Sequence, residues 1–71
     1  MSAAELHQAI AVLTGGNQSE FARVCGVNGR TVRRWVAGDD PVPKLVQVLI
    51  RAWSLLPPAE QARVRQEAGT G

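Results

Sequence analysis

Arg30, Arg33 and Arg34 stand within a span of five residues, and together with Arg23 they occupy an acid-free interval between Glu20 and Asp39. A guanidinium is a planar fork of N–H donors, so such a cluster can grip phosphate oxygens or fork onto O6 and N7 of guanine. Spacing decides whether the arginines act together. Advancing about 100° per residue along a helix and setting Val32 at zero, Val32, Trp35 and Val36 cover one inward sector. Arg30 and Arg34 then fall nearly opposite, with Arg33 on one flank and Thr31 on the other. Like charges at i, i+4 cost an isolated helix roughly 0.2–0.5 kcal/mol, and no carboxylate within this helix offsets them. A polyanion lying across that face turns the cost into a gain.

Two short helices have to carry this face. In Phe21, Ala22, Val24 and Cys25 the apolar residues repeat at i, i+1, i+3 and i+4, one stripe of a helix, which Gly26 then ends. Asn28 is a good N-cap for the next helix, and Gly38 closes it. A connection of three or four residues containing a glycine makes the two helices cross steeply over one small core. Ala22 suits that crossing because its small side chain allows close approach.

With these residues in place the chain resembles the helix-turn-helix repressors of the phage repressor, Cro and Xre type. The resemblance is carried by Gln18 opening the first motif helix, Ala22 four residues on, Gly26 in the turn, Val32 and Trp35 in the core, and Gly38 at the end. Flanking helices extend it over most of residues 2–56. It implies an all-α fold, a compact bundle of four to five short helices containing a helix-turn-helix, as in lambda-repressor-like DNA-binding domains. It also implies that Asn28, Arg30, Arg33 and Arg34 read base edges, while Asn17, Gln18, Thr31 and Lys44 touch phosphates. One departure is Gly29, which stands where the family usually places a polar reader, so specificity shifts onto the arginines or the backbone approaches DNA closely.

Length and charge fit one small domain over residues 1–68 with a disordered tail at 69–71. Seventy-one residues approach the lower limit for an independent core, which makes oligomerisation an expected source of stability and leaves no room for an effector-binding module. The net charge is only +2, yet residues 1–22 and 45–71 balance three basic against four acidic side chains, which concentrates the excess around the motif and Lys44.

The rest reads as scaffold. Ser2 and Glu5 form a capping box before Leu6, Ala9, Ile10 and Leu13, and Gly15-Gly16 end that helix. Asn17 and Glu20 repeat the device. Pro43 suits the first turn of a fourth helix, in which Leu45, Val48, Leu49, Ala52, Trp53 and Leu56 form the predicted core stripe. Val46 and Ile50 widen the apolar surface beyond what one small core covers. Together with Trp53, and with Val64 from a short helix at Ala59–Ala68, they form the predicted homodimer interface. Trp53 fits either the core or the interface, and the competing arrangement has the C-terminal helix fold back over the same stripe within one chain.

Other chemistries find little support. Cys25 is the only cysteine and lies on an apolar stripe, so a buried thiol is expected; His7 has no second ligand at metal spacing. No cofactor, metal or small-molecule effector is expected. Paired carboxylates, a His beside a nucleophile and a phosphate-cradling loop are all missing, so an enzyme is not expected. No apolar run reaches the ~18 residues of a membrane span, and the N-terminus lacks the pattern of a secretory leader, which predicts a cytoplasmic protein. The leading expectation is a dimeric transcriptional repressor that occupies an imperfect palindrome in double-stranded DNA, its own operon included, as suits a phage or mobile element. The competing one is an antitoxin or adaptor that binds a protein through the helix 45–56 surface.

Overall fold

Ser2 starts the first helix as its spacing from Glu5 predicts. In the computed structural model, which describes residues 1–70, Ser2 Oγ accepts the Glu5 N–H at 3.1 Å and Glu5 Oε1 accepts the Ser2 N–H at 3.3 Å. This box launches α1 (Ala3–Thr14), and Gly15, with a left-handed φ of 62°, ends it. The buried Thr14 hydroxyl lies 3.0 Å from both the Ile10 and Asn17 carbonyl oxygens, tying the end of α1 to the start of α2. Asn17 Oδ1 then accepts the Glu20 N–H at 3.0 Å to cap α2 (Gln18–Cys25). Only half of the predicted second box forms, because the Glu20 carboxylate turns instead to Arg65 near the C-terminus.

Gly26 closes α2 with the double bond expected of a left-handed C-terminal residue. Its N–H reaches the Arg23 carbonyl, and the Val27 N–H reaches that of Ala22 at 3.0 Å. Three residues separate α2 from α3 (Gly29–Ala37), which ends in the same way: Gly38 has φ 82° and the Asp39 N–H meets the Arg34 carbonyl at 3.0 Å. Pro43 is extended (ψ 148°) and serves as the N-cap of α4 (Lys44–Ser54), one residue earlier than its predicted place in the first turn. Helix α5 (Pro58–Thr70) continues through Gly69 and Thr70, where a disordered tail was expected; Gly71 lies outside the described residues.

All four leading helices feed one core: Leu6, Ile10 and Leu13 from α1, Phe21 and Ala22 from α2, Val32 and Trp35 from α3, and Val46, Ile50 and Trp53 from α4. Val42, in the connection before α4, joins them. The described residues contain five helices and no strand, the small all-α bundle that was expected. None of these helices is long and apolar enough to cross a membrane.

Helix α4 sits rotated from its predicted phase. Val46 and Ile50, expected at a dimer interface, and Trp53, expected either there or in the core, are 8%, 6% and 1% exposed and belong to the core of the single chain. Leu45 and Val48, expected in the core, are 80% and 54% exposed, and Ala52 is exposed as well. Trp53 sets the rotation. Its ring stacks on Phe21 at a centroid distance of 6.2 Å and an interplanar angle of 14°, and its indole N–H donates to the Gln61 carbonyl at 3.3 Å. Both requirements of a buried indole, apolar contact and an acceptor, are thus met only with Trp53 inward. Val46 and Ile50 follow it because i, i+4, i+7 is one stripe. Val64 is half-buried against the same core. The fold-back of α5 is therefore the arrangement adopted, held by Gln61, by Val64 and by the Arg65–Glu20 ion pair to α2.

Candidate nucleic-acid interface

The face built by α3 is cationic and accessible. Val32 and Trp35, 0% and 4% exposed, anchor its inner side, and this burial forces Arg30, Arg33 and Arg34 outward, where all three are exposed. Nine residues with caps at both ends give a short helix of fixed rotation, so the direction of each arginine follows from the two buried anchors.

The N-terminal end of α3 is occupied by its own cap. Asn28 Oδ1 accepts both the Thr31 N–H at 2.9 Å and the Thr31 hydroxyl at 3.1 Å. Reading adenine bidentately takes the donor and the acceptor of an amide together, so Asn28 in this state offers only its NH2 group. The Thr31 hydroxyl is committed to the same cap. At Gly29 an added Cβ would meet only Arg33 Nη1, the tip of an exposed side chain, at 3.4 Å, an ordinary van der Waals contact.

Arg34 holds a partner that the sequence reading did not assign. Its Nε donates to Asp40 Oδ2 at 2.7 Å, and its Nη2 lies 3.5 Å from Asp40 Oδ1. The carboxylate stands just past the helix, so the expectation that nothing within α3 offsets Arg30 and Arg34 holds inside the helix but misses this contact. A signal for it was present in the sequence: a left-handed glycine at 38 wraps residues 39 and 40 back over the last turn. The Asp40 hydrogen bond, then the charges of Asp40 and Asp39, push the Arg34 pKa further up. Arg30 and Arg33 have no ion pair among the described residues.

The predicted phosphate contacts have separate placements. Asn17 caps α2 with its oxygen and is exposed; Gln18 opens α2 half-buried. Lys44 opens α4, exposed, on the rim of a shallow groove that also involves Met1 and Glu5. Cys25 is half-buried, and burial pushes its thiol up to about 11, so the thiolate is a minor species at neutral pH.

This geometry defines a small helical bundle that presents a short arginine-bearing helix beside a tight turn. Comparison of the chain with protein-family models, with curated proteins and with solved structures gives no match.

Proposed function

We propose that α2, the turn at Gly26–Asn28 and α3 form a helix-turn-helix, and that the protein is a sequence-specific double-stranded DNA-binding regulator acting from the cytoplasm as a repressor by promoter occupancy. The observation that supports this most is the pairing of buried Val32 and Trp35 on the inner side of α3 with three exposed arginines on its outer side. A helix of this width fits the major groove, and Arg is the side chain best matched to guanine there. Asn17, Gln18 and Lys44 then serve as backbone contacts that set register without reading sequence.

A single α3 covers only a few base pairs, so the working unit is a homodimer on an imperfect palindrome. The surface available for pairing is the outer face of α4. Leu45, Val48, Ala52 and Leu55 are exposed along it. Two copies of α4 packed antiparallel about a point between Val48 and Ala52 set Leu45 against Leu55 of the second copy, and Val48 against its Ala52. That self-matching pattern is what an isologous contact needs. The groove beside this face bears Glu5 as well as Lys44 and Arg51, so each copy offers both signs to the other. The adaptor reading would place a different protein on the same face.

Selection of duplexes from a randomised double-stranded DNA pool tests the first claim: enrichment of guanine-containing inverted repeats is expected, and no enrichment over the starting pool overturns it. Sedimentation at micromolar concentration tests the second. Val48→Glu is expected to convert a dimer into a folded monomer, and a wild type that is monomeric both free and on enriched duplex overturns the dimer.

A further inference from the structure

The arginines of α3 are alike in sequence but not in freedom, and the difference lies in the residues after the helix. Gly38 turns the chain so that the Asp39 and Asp40 N–H groups both point at the Arg34 carbonyl, at 3.0 and 3.4 Å. Residue 40 therefore holds residue 34 twice, through the backbone and through the carboxylate on its guanidinium. Arg34 remains 54% exposed and Asp40 42% exposed, so this pair sits at the surface and is not part of the core.

The geometry points to Asp40 as the positioning residue that makes Arg34 a guanine reader. This rests on the reading that α3 enters the major groove. A guanidinium has five N–H donors in one plane. Asp40 takes the edge formed by Nε and Nη2, leaving both Nη1 donors and the outer Nη2 donor. These present the end-on fork that fits guanine N7 and O6. An unpaired arginine must lose its rotamer freedom on binding, whereas one already held by a carboxylate loses less. Arg30 and Arg33, without such a partner, are left to follow phosphates or adapt to several bases.

The carboxylate also carries a cost that makes the inference testable. A negative charge close to the groove repels the phosphate backbone, so it lowers affinity for every duplex while sharpening the choice of base. Removing it should move the two quantities in opposite directions. Asp40→Asn is isosteric and exposed, and unchanged helical content and melting temperature check its fold; Asp40→Ala serves as the second variant. The probes are the duplex enriched by wild-type protein, the same duplex with each guanine replaced in turn, and a random duplex. For Asp40→Asn, affinity for random DNA should rise, and preference for guanine at one position should fall about tenfold, in the range found for coupled neighbours. In an Arg34→Ala background the Asp40 change should cause no further loss at that position. If Asp40 is instead a latch that blocks Arg34, affinity for all duplexes rises with the guanine preference intact, which overturns the inference. Loss of preference that persists in the Arg34→Ala background overturns it too, because Asp40 would then act independently. A wild type with no preference for any duplex removes the DNA-binding reading itself and the inference with it, an outcome separable from the others because it appears before any variant is made.

Discussion

Helices α3 and α4 are consecutive and of similar length, yet the same periodicity argument succeeds on one and misplaces the other. In α3 only Val32, Trp35 and Val36 are sizeable and apolar, and arginines fill the opposite side, so a single rotation buries the stripe. Helix α4 carries apolar residues over most of its circumference: Val46, Ile50 and Trp53 on one line, Leu45, Val48 and Ala52 on another. Both lines satisfy helical spacing. A hydrophobic pattern specifies rotation only where polar residues bound it, and α4 offers such bounds only at Lys44, Gln47, Arg51 and the terminal Ser54.

The largest expected effect sharpens this contrast directly. Trp53→Ala should cost about 3–5 kcal/mol, as for a large aromatic truncated in a core, while Leu55→Ala, 76% exposed, should stay within about 0.5 kcal/mol for the monomer. Urea unfolding of both variants measures it. Equal and small losses would break the assigned rotation of α4.

On α3 the expected effect is on binding rather than stability. Arg34→Ala should lose about 1–3 kcal/mol of discrimination at one guanine with its unfolding curve little changed. A variant that keeps wild-type discrimination in competition against random duplex would remove Arg34 as a reader. The cap of the same helix gives a smaller number: Asn28→Ala should destabilise by about 1 kcal/mol, because Oδ1 serves two donors of Thr31. If thermal melting shows no loss, the oxygen is free and Asn28 returns to the list of bidentate base readers.

The smallest effect concerns α5, which covers the face that α4 turns inward. Arg65 donates to Glu20, and this hydrogen bond, more than the charge itself, lowers the Glu20 pKa from its ordinary 4.5. A depressed carboxylate contributes stability above its unfolded pKa and loses it as pH falls through the folded value, so this contribution is complete above pH 4.5 and fades below it. Arg65 is 40% exposed, and solvent screening keeps the contribution of the pair small. Glu20→Gln should therefore lower stability slightly at pH 7 and flatten the acid limb of a stability profile. An unchanged acid limb would mean that α5 is held by Gln61 and Val64 alone.

Local chemistry was legible in the residues themselves. Ser2 with Glu5, Asn17, Asn28, and the glycines at 15, 26 and 38 announced where α1, α2 and α3 begin and end, because a cap needs only neighbours within a few positions. The outward direction of Arg30, Arg33 and Arg34 was equally readable, since one narrow stripe fixes the opposite face. Three features depended on residues far apart in the chain or on the path of the turn. The phase of α4 was decided by Phe21, more than thirty positions away, and by the acceptor that Gln61 supplies to Trp53. Glu20 abandoned its cap for Arg65 because α5 folds back across α2. Asp40 met Arg34 through the turn at Gly38, which lies beyond the reach of a helical projection. Spacing along one helix determines which side chains share a face, whereas which of two apolar faces is buried, and which charge finds which partner, is a comparison of whole packings that only the folded chain makes.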